Sequence, residues 1–289
     1  MKKILMTGSN GLVGKSLKNR LIQSGYQVYS MTRHAINDPL YCNFKEIPSN
    51  LEPFEGFDVL IHLAGESIAG FRWTLSKKNR LLKERVKSSE ILKSILLQLK
   101  KPPKQVFVAT GVGFYGIDHI EEKTENSPMG EGFLAQLAYQ IESVWKDFKI
   151  PSVMMRFATV LSKQGGAVGK LSLPWRFHCV PYYGNKQSFF PYVSLNELVE
   201  MIHFLVGKEN LKGPINFCSD QLKTQEDLFS QMTQNISPKW SFVIPRSFIK
   251  LFLGQMGKET LLLNLKVIPY RLKELNYPFK KSWDRDLTF

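Results

Sequence analysis

The chain has 289 residues, 43% of them hydrophobic, and a net charge of +14. That content supports one large buried core, or a large domain with a smaller companion. No apolar run reaches membrane-spanning length, the start reads directly as a strand so that no signal peptide is expected, and Cys42, Cys179 and Cys218 are too widely spaced for a metal cluster. The expectation is a cytoplasmic protein with no membrane partner and no metal.

The chain opens on a buried strand, Ile4-Leu5-Met6, and then Thr7-Gly8-Ser9-Asn10-Gly11-Leu12-Val13-Gly14. Leu17, Leu21 and Ile22 follow at helical spacing, Gly25 stops the helix, and Val28 to Met31 reads as a second strand. Strand, glycine turn, helix and strand form the unit that binds a dinucleotide. Gly8 permits the tight turn, Gly11 lets backbone approach a pyrophosphate, and Gly14 lets the helix pack closely. The helix N-terminus offers free N–H groups and the positive end of its dipole. An acid at the end of the second strand would select NAD; here stands Thr32-Arg33-His34. The fork of Arg33 suits a 2′-phosphate, which favours NADP(H).

Residues 36–55 read as loop with one short strand near Leu40 to Phe44. Phe57 to Leu63 is a strong buried strand ending in Ala64-Gly65-Glu66, small residues against which an adenosine or ribose fits. Between Arg72 and Lys104 lie eleven Lys and Arg residues, opposed only by Glu84 and Glu90. Leu81, Leu82, Val86, Ile91, Leu92 and Ile95 give that stretch one apolar helical face, so the charges read as its solvated side. No nucleic-acid module is legible and aromatics are not interleaved, so a nucleic-acid partner is not expected.

Lys104 to Thr110 is the next strand, leading into Gly111-Val112-Gly113-Phe114-Tyr115-Gly116. Residues 121–132 are polar and turn-rich. Phe133 to Phe148 reads as a helix and Ser152 to Phe157 as a strand. The alternation predicts an α/β, doubly wound parallel sheet of the Rossmann type. Later pieces are Gly165-Gly166 in a loop, a short helix from Val168 to Phe177 broken by Pro174, and a strand near Phe189 to Val193. A helix from Leu195 to Val206, capped by Ser194 or Asn196, and a strand at Pro214 to Cys218 come next. From Thr224 the chain reads as mostly helical. The expected division is a dinucleotide-binding domain over 1–164, with 195–220 returning to it, and a smaller, mostly helical substrate-side domain from 165–194 and 221–289.

The G-x-x-G-x-x-G spacing resembles the extended branch of the short-chain dehydrogenase/reductases. Further marks run the length of the chain: Leu63-Ala64-Gly65-Glu66, Arg72-Trp73, Arg85-Val86, Gly111 to Gly116, Glu125-x-Ser127-Pro128-x-Gly130, Phe133-Leu134-Ala135, Arg156-x-x-x-Val160-Leu161 and Gly213-Pro214-Ile215-Asn216. Their order is similar to the "epimerase family" branch of nucleotide-sugar-epimerase-like proteins. The resemblance implies a cofactor site of Gly8, Ser9, Asn10, Gly11, Leu12, Val13, Thr32, Arg33, Leu63, Ala64, Gly65, Arg85 and Val160. Arg85 is equally readable as one more charge on a basic helix.

Short-chain reductases use a Tyr and, four residues on, a Lys on the same helix face. Aligned by the family pattern, those positions hold Ala138 and Glu142. The catalytic candidates that remain are Thr110, at the end of its strand, and Tyr139, one position away; Tyr115 is a further hydroxyl. Glu66, Glu142 and Arg156 read as structural. Two functions stay open: an NADP(H)-dependent oxidoreductase or epimerase of a small, sugar-like substrate, or a catalytically weak or inactive NADPH-binding sensor or scaffold. Trp175, Phe177, Tyr182, Tyr183, Phe189 and Phe190 make the region around 166–193 aromatic. They suit either a ring-binding pocket or an interdomain core.

Overall fold

The computed structural model describes residues 1–33, 37–166, 172–236 and 238–280. The first half contains β1 (Lys3–Thr7), α1 (Leu12–Gln23), β2 (Gln27–Met31), β3 (Val59–His62), α2 (Leu75–Gln98), β4 (Gln105–Gly111), β5 (Asp118–Lys123) and α3 (Phe133–Trp145). The second contains β6 (Ser152–Phe157), β7 (Thr159–Ser162), β8 (Cys179–Tyr183), β9 (Tyr192–Ser194), α4 (Leu195–Val206) and β10 (Gly213–Phe217). It ends with α5 (Gln225–Met232), β11 (Trp240–Ile244), α6 (Arg246–Thr260), β12 (Asn264–Val267) and α7 (Tyr270–Glu274).

Six strands form one sheet in the order β10-β6-β4-β3-β1-β2, with every pair parallel. Burial on both faces explains why the inner strands β1, β3, β4 and β6 read as apolar runs, while the edge strand β2 alternates. Ile4, Met6 and Ile61 face one core with Leu17 and Leu21 of α1 and the apolar side of α4. Leu5, Leu60 and Val106 face the other, with α2 and α3. The alternation along each strand thus divides the helices between two layers. The chain leaves β1 for β2 on one side and returns to β3 on the other. This makes the β1/β3 edge a topological switch point, where the carboxyl ends of open α/β sheets leave a crevice. Thr7 stands in register with both Met31 and His62, so the exits of β2, β1 and β3 lie side by side.

Three smaller parallel pairs follow: β7 with β9 and β12 with β5 tie later segments to those that leave the sheet, and β8 with β11 joins two later segments to each other. The stretch after Thr224 therefore carries β11 and β12 among its helices. Residues 121–132, which read as turn, begin inside β5, because its partner β12 is far away in sequence. Near Leu40 to Phe44 only an isolated bridge between Thr32 and Tyr41 forms, not a strand. The predicted helix from Val168 lies partly outside the described residues, and its last part, Pro174–Phe177, is a short 3-10 turn. Trp175, Tyr182 and Phe190 pack around Phe229 in a third core, while Phe177 is exposed. That part of the aromatic region is core rather than pocket wall.

Candidate functional site

The turn after β1 is built on two close backbone approaches. Gly8 has φ +72°, and a Cβ there would lie 2.7 Å from the backbone N of Ala64 and the carbonyl carbon of Leu63. The β1 turn is therefore nested directly against the β3 exit, and only glycine permits it. At Gly14 a Cβ would meet the Gly8 carbonyl oxygen at 2.2 Å and the Ser9 Cα at 2.8 Å. The close packing expected of Gly14 is thus against the turn itself, not the sheet. Gly11 is exposed and caps α1 with no side-chain hydrogen bond, and the first turn of α1 carries no acid. Leu12 reaches the loop after β7, where a Cβ on Gly166 would sit 3.1 Å from its methyl group and 3.6 Å from the Val160 carbonyl. Leu12, Val13, Leu63 and Val160 all pack partly buried against the same core.

The β3 exit is held by a chain of hydrogen bonds that sequence reading missed. The Ala64 N–H donates to Thr7 Oγ1 at 3.1 Å, and Thr7 Oγ1 lies 2.7 Å from His62 Nδ1. His62 Nε2 is 3.4 Å from Ser88 Oγ, whose hydroxyl donates to the Arg85 carbonyl at 3.1 Å. Ser88 has one proton and gives it to Arg85, so the imidazole must carry its proton on Nε2 and accept from Thr7 on Nδ1. Burial, with Arg85 nearby, pushes the His62 pKa down to about 3 and keeps the ring neutral. The available signal was a polar residue in an otherwise apolar strand and a Ser pair on the apolar face of α2.

Arg85 lies across Gly65: a Cβ there would meet its guanidinium carbon at 2.4 Å. It donates to the Glu66 carbonyl at 2.9 Å, while its Nε is buried without a partner. Burial lowers its pKa, against the pull of Glu84 and Glu66. Arg33 stands beside Glu84 at 3.7 Å. Glu66 pairs with Arg80 and Lys77, which hold its carboxyl down to about 2. Part of the basic face of α2 is thus tied to this edge. Gly8, Ser9, Thr32, Arg33, Leu63, Ala64, Gly65 and Arg85 come together at the exits of β1, β2 and β3.

The corner between β4 and α3 is different in kind. Glu142 is buried and receives two hydrogen bonds from Arg156, Nε to Oε1 at 2.8 Å and Nη2 to Oε2 at 2.7 Å. Thr110 donates its hydroxyl to Glu142 Oε1 at 3.2 Å. Arg156 also donates to Tyr115 Oη at 2.8 Å and lies 3.5 Å above the Phe114 ring. Tyr115 donates to Asn216 Oδ1 at 2.7 Å, and burial pushes its pKa up to about 12. Tyr115 is fully buried and serves the network. Tyr139 is 53% exposed on the outer side of α3 and is not brought to this corner. Ala138 faces the core, as the 3.6-residue period requires. Among the described residues no group of three His, Cys, Asp or Glu could hold a metal ion.

Both the sequence and the fold have known relatives. A family model described as the NAD dependent epimerase/dehydratase family covers residues 4–216. The chain belongs to that family. It is 30% identical to an epimerase family protein of Staphylococcus aureus strain N315, over 98% of this chain and 96% of the relative. Its fold is that of the human epimerase family protein SDR39U1 (isoform 2), crystallised with NADPH: TM-score 0.86, 23% identity, 99% of this chain and 97% of that one. UDP-glucose 4-epimerase of Thermotoga maritima, solved with UDP-glucose, also matches at TM-score 0.74 and 17% identity, covering 99% and 97%. This member of the epimerase/dehydratase family thus has Ala138 and Glu142 where the resemblance to short-chain reductases leads one to expect Tyr and Lys, and Glu142 is paired with Arg156 of β6.

Proposed function

We propose that this protein binds NADP(H) across the β1/β3 switch point and acts as an oxidoreductase or epimerase on a small, sugar-like substrate. The observation that carries the reading is the nesting of Gly8 against Leu63-Ala64, beside an Arg33 with no acid at the end of β2. A phosphate near Arg33 would compete with Glu84 for its guanidinium. The backbone from Gly8 to Val13 would cradle the pyrophosphate, and Thr32 and Arg33 would take the 2′-phosphate. Leu63, Ala64 and Gly65 would lie along the adenosine ribose. Arg85, with its buried Nε free of a protein partner, supplies a further cation at the crevice edge. Val160, beside Leu12 and Val13, would border the far end of the cofactor. When bound, the nicotinamide supplies or removes hydride. The NADPH named for the human relative supports the same preference.

Toward substrate the chain offers Thr110. Its proton is committed to Glu142, so its oxygen is left to accept, which suits a substrate hydroxyl better than a carbonyl. Ala138 and Glu142 favour a second reading, an NADPH-binding sensor or scaffold with little turnover.

Calorimetric titration with NADPH and NADH, on the protein and on Arg33→Ala, tests the first step. NADPH should bind the more tightly, and the variant should lose about tenfold to a hundredfold in NADPH affinity with NADH unchanged. Equal affinities in the parent protein would remove the 2′-phosphate role. A panel of sugars and nucleotide sugars, followed at the nicotinamide absorbance band, then separates enzyme from sensor.

A further inference from the structure

Much of the net charge of +14 is not used by the dinucleotide crevice. From Leu228 to Lys258 the chain contains no Asp or Glu, yet it carries Lys239, Arg246, Lys250 and Lys258. The same stretch concentrates exposed apolar side chains. Trp240, Phe242 and Val243 on β11, and Phe248, Leu251 and Phe252 on α6, are all exposed, Trp240 at 71% and Leu251 at 66%. Single exposed apolar residues are ordinary; six within one strand and the start of the next helix are not.

The helix is divided by its own backbone. Gly254, at φ 58° and ψ −138°, interrupts α6. Beyond it the helix is docked: Glu259 accepts the N–H groups of Phe133 and Leu134 at 2.9 and 2.8 Å, and Lys78 donates to Gln255 at 3.0 Å. Met256 is buried there. Before Gly254 only Ile249 is buried. The rings of Phe248 and Phe252 stack on one another at 6.0 Å.

We propose that β11 and the first half of α6 form a docking face for an anionic membrane surface. Trp, Phe and Leu interleaved with Lys and Arg, and no acid, is the composition of a segment that lies in a lipid interface. The aromatic rings enter the headgroup boundary while the lysines extend to lipid phosphates. A second copy is a poorer occupant, because twofold pairing would bring Lys239, Arg246 and Lys250 up against their own copies. A peptide is also poorer. The groove beside this face, about 440 Å³, is bordered by Ile117, Glu131, Lys250, Gln255, Lys258 and Glu259, and none of the exposed aromatic rings lines it. Among the described residues no helix is long and apolar enough to cross a membrane. The absence of a span led the sequence reading to expect no membrane partner; surface attachment requires none.

Flotation with vesicles of phosphatidylcholine, with and without phosphatidylglycerol, tests the proposal on the full chain. The protein should float with the anionic vesicles only. F248S/L251S/F252S should abolish flotation, and each of Lys239→Ser and Lys250→Ser should weaken it roughly fivefold. Circular dichroism checks that the triple variant is folded; if it is not, the two lysine variants decide. No flotation with anionic vesicles, equal flotation with neutral ones, or lysine variants that bind as well as the parent overturns the proposal. Sedimentation equilibrium without lipid provides the other arm. A dimer that dissociates in the lysine or triple variants would assign the face to a second copy instead.

Discussion

The turn after β1 and the corner between β4 and α3 lie at the same edge of one sheet but are specified in different ways. The turn is made of backbone. Its requirements, a positive φ at Gly8 and no Cβ at Gly14, act over a few residues and against one neighbouring strand. The corner is made of side chains from five places, Thr110, Tyr115, Glu142, Arg156 and Asn216, joined by hydrogen bonds across as many as 101 positions. A backbone requirement leaves a glycine in the sequence. A charge pair leaves only a Glu and an Arg, like many others in this chain.

Four perturbations would break or sharpen that contrast. The largest effect belongs to the corner. Glu142→Ala leaves the Arg156 guanidinium buried without its carboxylate, a loss of about 3–5 kcal/mol in urea unfolding. E142L/R156M, which removes both charges, should restore most of it. If the double variant is as unstable as the single one, the pair fixes geometry rather than only balancing charge. At the turn, Gly8→Ala combines an unfavourable φ with a Cβ 2.7 Å from Ala64 N, and about 2–4 kcal/mol should be lost together with NADPH binding. Retained binding would mean the turn is not the cradle.

The third perturbation is pH. His62 has a folded-state pKa of about 3 against an ordinary 6.5. Below 6.5 the unfolded chain takes up a proton that the folded chain refuses. The contribution of neutral His62 is therefore complete above pH 6.5 and declines as pH falls toward 3, by more than about 1 kcal/mol. His62→Gln should flatten stability against pH over that window. An unchanged slope would mean that another group dominates. The smallest effect is Ser88→Ala, which leaves the His62 Nε2–H without its partner. We expect a loss of about 1 kcal/mol in urea unfolding, since a buried donor loses its partner, and an unchanged unfolding free energy would mean that the 3.4 Å contact carries no weight.

The sequence alone determined the parallel sheet, because strands buried on both faces must be apolar throughout and helices between them must show one apolar stripe. It also determined the glycine turn, Arg33 at the end of β2, and the absence of the Tyr and Lys pair at positions 138 and 142. Only the tertiary structure decided what replaces that pair, since Glu142 finds Arg156 and Thr110 through the stacking of α3 on β4 and β6. It decided that Tyr139 faces outward, that Thr7, His62 and Ser88 join β1, β3 and α2 through one chain of hydrogen bonds, and that Trp175, Tyr182 and Phe190 form a core. Local backbone demands are written where they act. Contacts between distant side chains depend on how whole elements pack, and no single position in the chain records that.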